Sequence, residues 1–303
     1  MTFSHKRIVF EKQAECVHQL NLNKREVIRL KKAKENKKEG FFRGINKEIR
    51  ENKVTFIVYT ILRLLVIVSL VSSVVRGEYE NVFVCALSLL LLVMPAIIER
   101  KLRIYLPTTL EVIILIFIFC AEILGEIHNF YTIVPYWDTI LHTLNGFLFA
   151  AFGFALLDII NRNEKMKFQL SPFYLAVVAF WFSMTIGVFW EFFEFSSDLF
   201  FGTDMQKDVI IQSFNSVTLD PTMSNTPIHI KDITSVAVNG NDLGLSGYLD
   251  IGLFDTMGDL FVNFIGALVF SIIGFFYVKN RGKGKFAKRF IPVIDEEIEK
   301  DKE

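Results

Sequence analysis

The chain has 303 residues, of which 52% are hydrophobic and 32 are Phe, with 33 basic and 33 acidic side chains cancelling to zero net charge. A mean hydropathy of +0.39 excludes an ordinary soluble globular protein. The charges are bunched rather than spread, and no nucleic-acid partner is expected.

Residues 1–53 hold fifteen Lys and Arg among thinly placed apolar residues. They read as a charged cytoplasmic N-terminal segment of one or two amphipathic or solvated helices. No cleavable signal peptide is predicted. Cys16 lies in this segment and Cys85 and Cys120 lie in apolar runs, so no disulfide framework is implied.

Six apolar runs follow, at 54–75, 82–98, 106–125, 138–160, 172–195 and 254–278. Each is close to the length that lets a helix cross about 30 Å of hydrocarbon. Basic residues alternate between the connections. Arg100, Lys101 and Arg103 occupy one loop, Arg162, Lys165 and Lys167 another, and eight more lie in the charged tail 279–303. The intervening connections hold few: none in 126–137, Arg76 in 76–81, and Lys207 and Lys231 in 196–253. Positive residues stay in the cytoplasm, so this pattern predicts six spans with both termini cytoplasmic. The fold class is thus an all-α membrane protein, its six-helix domain covering 54–278.

The connection 196–253 is too long for a bare loop. Residues 228–238 are β-prone and partly alternating, Asn239-Gly240 is a turn signal, and 243–249 can return as a second strand. A small extracytoplasmic cap with a β-hairpin is expected between the fifth and sixth spans.

This topology gathers the acids. Glu122 and Glu126 end the third span, Asp138 and His142 begin the fourth, and Glu191, Glu194 and Asp198 end the fifth. Asp255 and Asp259 begin the sixth, and Asn263 continues their face. The spacings of three, four and seven put each set on one helical stripe. Four helices therefore bring eight carboxylates and one imidazole to the outer side at one depth.

So many like charges in a poorly solvated bundle are relieved by protonation, by a water-filled vestibule, or by a divalent cation. Oxygen ligands with one imidazole suit Mg, Mn, Ca, Zn or Fe. The predicted metal-ligand set is Glu126, Asp138, His142, Glu191, Glu194, Asp198, Asp255 and Asp259. Taken singly, the same acids also fit a solvated role, with Asp138 and Asp255 as first-turn acids. Arg63 sits mid-span, where a charge needs a partner, and Glu111 or Asp158 is the expected one.

Several motifs in order carry a resemblance: Gly125-Glu126, Tyr136-Trp137-Asp138, Leu141-His142, Gly146, Trp190-Glu191-x-x-Glu194 and Asp255-Thr256-Met257-x-Asp259-x-x-x-Asn263-x-x-Gly266-Ala267. Over 54–278 the chain resembles the YjdF-like family of multi-span bacterial membrane proteins. Its last motif also resembles VanZ-like proteins, which are linked to glycopeptide resistance and the cell envelope. The resemblance implies a bacterial plasma-membrane location and importance of the outer acids, without supplying a reaction.

Three functions stay open at this point. One is a metal-dependent enzyme on an envelope or lipid-linked substrate at the outer leaflet, though no Gly-x-Ser-x-Gly or His-Glu-x-x-His motif is present. Another is a cation- or proton-coupled transporter, which needs a polar path towards Asp158. The third is a non-catalytic envelope protein whose ion pins the helices for a partner.

Overall fold

A computed structural model describes residues 53–102, 104–162, 170–280, 287–291 and 293–294. The predicted N-terminal segment, apart from Lys53, lies outside the described residues. The helices are α1 (Lys53–Arg76), α2 (Tyr79–Leu91), α3 (Met94–Leu102), α4 (Thr108–Phe119), α5 (Phe130–Ile133), α6 (Trp137–Arg162), α7 (Pro172–Phe201) and α8 (Leu253–Lys279).

Among the described residues, five helical stretches are long and apolar enough to cross a membrane: Lys53–Arg76, Tyr79–Lys101, Trp137–Asp158, Pro172–Phe201 and Leu253–Lys279. The second is α2 and α3 joined by a turn, just ahead of Pro95, whose missing N–H cannot continue the hydrogen-bond ladder. The predicted third span differs from the other five. Its α-helical part ends at Phe119 and the chain runs on as a π-helix, Cys120–Ile127, carrying Glu122 and Glu126. The i→i+5 hydrogen bonds widen the turn, yet Glu122 and Glu126, four residues apart, still fall on one face and act electrostatically on one another. Arg63 donates to the Tyr59 hydroxyl at 3.0 Å and lies over its ring, one turn towards the start of α1.

α6, α7 and α8 form the packed centre. α7 starts at Ser171, whose hydroxyl accepts from the Tyr174 amide, with Pro172 in the first turn where an N–H is not needed. It ends at Gly202 in the left-handed conformation, the Gly202 N–H donating to the Asp198 carbonyl. α6 and α8 touch backbone to backbone. A Cβ at Gly146 would lie 2.1 Å from the Asn263 carbonyl oxygen, and one at Gly266 would lie 1.9 Å from that of Thr143. Small residues at helix crossings permit such approach in membranes. Ser183 adds a buried hydrogen bond to the Gly146 carbonyl at 2.7 Å. Beyond this crossing Ala150, Phe154, Leu175, Ala179, Ala267 and Phe270 are buried together.

The tail also contributes structure. Val293–Ile294 (β8) pairs antiparallel with Ile104–Tyr105 (β1), and Phe290 meets Phe147 edge to face at 5.2 Å.

The segment between α7 and α8 is built of short antiparallel pairs. Val209–Ile211 (β2) pairs with Tyr248–Asp250 (β7), Phe214–Ser216 (β3) with Ile228–Ile230 (β4), and Ala237–Val238 (β5) with Asn241–Asp242 (β6). The hairpin turns at Asn239-Gly240, with φ of 53° and 80° as the inverse-type turn requires. Its strands are two residues each, shorter than predicted. Residues 228–230 and 248–250 instead pair with the earlier strands β3 and β2, a long-range choice that local alternation cannot reveal.

Asp220 organises the loop leading to β4. Its carboxylate accepts from the Thr222 hydroxyl and amide, the Ser224 hydroxyl and amide, and the Thr226 amide, at 2.6–3.2 Å. These donors, the Thr222 hydroxyl first, favour the ionised form and hold the carboxyl well below the usual carboxylate range. A depressed folded-state value contributes stability that is full above the ordinary aspartate range, near pH ~4, and is lost as pH falls further. Amide exchange at 222–226, corrected for its intrinsic pH dependence, is therefore expected to accelerate on acidification below that range. In Asp220→Asn the loop should exchange rapidly at every pH.

Candidate metal centre

The site lies where the capped ends of α6, α7 and α8 meet. His142, one turn after Asp138 on α6, is 7% exposed. Its Nε2 lies 3.4 Å from Asp138 Oδ1 and 3.8 Å from Asp259 Oδ2, and its Nδ1 lies 3.9 Å from Glu191 Oε1. One ligand atom from each of Asp138, His142 and Asp259 falls within 4.8 Å of the others. Ligands about 2.0–2.2 Å from a tetrahedral ion stand roughly 3.3–3.6 Å apart; the His142–Asp138 pair at 3.4 Å has that spacing and the His142–Asp259 pair at 3.8 Å is slightly wider.

The polar atoms left over point the same way. Asp259 is 5% exposed and Glu191 4%, yet Asp259 Oδ2 and Glu191 Oε2 have no hydrogen-bond partner, nor does Asn263 Oδ1 one turn below. Buried carboxylate oxygens without donors cost several kcal/mol unless a proton, a cation or a bound group satisfies them. Donor chemistry and geometry both fit a hard or borderline divalent ion.

The eight predicted ligands separate into layers. Asp138, His142 and Asp259 converge, with Glu191 beside them. Glu194 is buried within electrostatic reach of His142 and Glu191, its Oε1 accepting from the Trp190 indole at 2.8 Å. Asp198 and Asp255 are directed to the backbone of 203–207. Asp198 accepts from the Met205 amide at 2.7 Å, the Gln206 amide at 2.9 Å and the Thr203 hydroxyl, and Asp255 Oδ2 accepts from the Lys207 amide at 2.8 Å. Glu126 is exposed on the π-helix, within electrostatic reach of Lys207 and Asp138.

Residues 203–207 thus form a strap across the ends of α7 and α8. Gln206 also binds the Thr256 hydroxyl, and Gly252, at φ 109°, lets α8 begin against Gln206, whose Cβ would lie 2.6 Å from a Cβ there. Sequence reasoning missed the strap because its donors are backbone amides. The one available signal was Thr256 beside Asp255. Removing the Asp198 carboxylate deletes three of the strap's hydrogen bonds, two from backbone amides. Asp198→Ala should speed amide exchange at 205–207 by about tenfold or more, with α7 itself unchanged.

Tyr131 of α5 closes one side. Its ring packs on Gly125, where a Cβ would lie 2.3 Å away. Burial, reinforced by Asp138, Glu126, Glu122 and Glu194, pushes its phenol up, so the group is a neutral hydroxyl at the edge of the acids.

A family model described as "Predicted membrane protein (DUF2238)" matches residues 57–280. An uncharacterized protein of Thermotoga maritima is 26% identical over 104 residues, which cover 34% of this chain and 52% of that protein. The chain therefore spans about half the length of this curated relative. No solved structure matches.

Proposed function

The chain belongs to the DUF2238 family of predicted membrane proteins, and from that premise we propose that it is a divalent-metal protein of the bacterial plasma membrane, acting enzymatically on a lipid-linked envelope substrate at the outer leaflet. The observation that carries this reading is that the two carboxylates flanking His142, Asp259 through Oδ2 and Glu191 through Oε1, each keep a buried oxygen without a hydrogen-bond partner, Asp259 Oδ2 and Glu191 Oε2. The basic-residue pattern supports a topology with the cap outside, both termini in the cytoplasm and the Thr108–Ile127 stretch as a sixth crossing.

Asp138, His142 and Asp259 would hold the ion. Glu191, at His142 Nδ1, would orient the imidazole and serve as the nearest proton acceptor. A bound divalent ion supplies a lowered water pKa and polarisation of a phosphoryl or carbonyl oxygen. The Tyr131 phenol is a neutral donor at the rim.

The interior beneath the site favours a one-sided centre over a transport route. Ala150, Phe154, Ala267 and Phe270 are fully buried between Asn263 and Asp158, with the Ser271 hydroxyl as a buried polar group among them. Asp158 itself lies sixteen residues from His142 along α6, about 24 Å.

The test is metal content by mass spectrometry on detergent-purified protein after dialysis against divalent salts, beside folded His142→Ala and Glu191→Gln proteins. One ion per chain is expected in the wild type, none in His142→Ala, and a weakened site in Glu191→Gln. A metal-free wild type after supplementation would sink the proposal.

A further inference from the structure

We infer that the centre receives a phosphate-bearing lipid head group, entering sideways from the leaflet, with the phosphate set between the Asp138–His142–Asp259 group and the Lys207 ammonium. This rests on the proposed metal site and adds the class of ligand.

Depth is the first argument. His142 lies twenty residues from Arg162 on α6, Glu191 twenty from Ser171 at the start of α7, and Asp259 twenty from Lys279 on α8. At 1.5 Å per residue each is about 30 Å from the opposite end of its own helix, the thickness of the hydrocarbon layer. Three helices thus agree in placing the centre at the hydrocarbon boundary, immediately below the plane of lipid phosphates.

Charge is the second. A phosphate approaching bare carboxylates is repelled, so cations must receive it. A bound ion is one. Of the two lysines in 202–252, Lys207 belongs to the strap. Its amide is fixed by Asp255, its ammonium donates to the Asp204 carbonyl, and its charge acts on Glu126, Asp198 and Asp255. The strap therefore holds a cation at the rim, beside Glu126, Asp198 and Asp255.

The apolar surface is the third. α7 continues ten residues past Glu191, about 15 Å into the head-group zone. Each acid there is followed by a large apolar residue: Glu191 by Phe192, Glu194 by Phe195, Asp198 by Leu199, exposed by 60%, 54% and 64%. One step along a helix turns the side chain by about 100°. An apolar stripe therefore stands beside the acid stripe, reaching above the level where lipid tails alone would cover it. An amphiphile whose head reaches the centre lays its glycerol and upper chain along that stripe.

The experiment uses the full chain in detergent, loaded with one Mn2+ and desalted. Phosphorus NMR then follows broadening of dihexanoyl phosphatidylglycerol by the bound ion. Broadening that saturates is expected. Lys207→Ala should weaken it about tenfold or more with Mn2+ content unchanged, and Lys207→Arg should restore it. Phe195→Gln should weaken it for the lipid and leave inorganic phosphate unaffected. Mn2+ bound but no lipid broadening would overturn the inference while leaving the metal centre standing. Equal saturation by inorganic phosphate, or an unchanged Lys207→Ala protein, would overturn the lipid assignment or the lysine's role respectively. Failure to bind Mn2+ at all would remove the centre itself.

Discussion

An Asp259→Asn protein is expected to unfold at the same point with or without added Mn2+, whereas the wild type should gain about 2.7 kcal/mol once the ion is a hundredfold above its Kd. The substitution keeps the shape of the side chain and removes the charge and one oxygen lone-pair set. Asp259 is buried in the second turn of α8 and its Oδ2 faces His142 Nε2 at 3.8 Å. Disturbing residues that merely orient a ligand costs about ten- to a hundredfold in metal affinity, so loss of a direct ligand should cost at least the upper figure. Circular dichroism should be unchanged, because the α6–α8 crossing lies deeper, at Gly146, Asn263 and Gly266. Asp255→Asn gives the contrast. Its carboxylate holds the Lys207 amide rather than the centre, so it should loosen the strap and keep most of the ion-dependent gain. Equal ion-dependent gains in the wild type and Asp259→Asn would show that the buried oxygens are satisfied without metal.

The largest effect on stability is expected from Gly266→Ala, about 3 kcal/mol or more in a denaturant titration of the detergent-solubilised protein. The added methyl would meet the Thr143 carbonyl oxygen at 1.9 Å and the Phe147 amide nitrogen at 2.9 Å. These are backbone atoms, which no rotamer change can move, so the two helices must separate along their length. Overpacking a core by single methyl groups costs about 1–3 kcal/mol, and more where the neighbour cannot yield. Gly146→Ala should behave alike, since it strikes the Asn263 carbonyl oxygen. Gly153→Ala meets only the Phe182 side chain, at 2.8 Å, and should cost less because a ring can shift. At Gly258 nothing lies within 4 Å, and alanine there should stabilise α8 by up to about 1 kcal/mol. Widening the crossing also parts Asp259 from His142, so Gly266→Ala should lose ion-dependent stabilisation as well. An unchanged titration midpoint in Gly266→Ala would mean that α6 and α8 do not pack as closely as described.

How far the chain could be read before folding differs by element. The apolar runs at 54–75, 138–160, 172–195 and 254–278 each appear as one long helix, since twenty apolar residues in a row have few alternatives in lipid. The run at 106–125 changes helical type at Cys120, a shift in hydrogen-bond spacing that apolar periodicity does not encode. Asn239-Gly240 turned as expected because the preference is local to two residues. The partners of 228–230 and 248–250 were not legible, because strand pairing across tens of residues depends on the whole segment.

By itself, the sequence determined a helical membrane protein with acids collected at the capped helix ends. Hydropathy, residue spacing and helix rise act along the chain and need no knowledge of neighbours. Only the tertiary structure decided which acids belong together. Asp138, His142 and Asp259 meet because Gly146 and Gly266 let α6 and α8 touch, whereas Asp198 and Asp255, on the same stripes, were claimed by the amides of the strap. The reason is distance. A carboxylate finds its partner within about 3 Å, and such approaches arise between segments far apart in sequence only once the helices have packed.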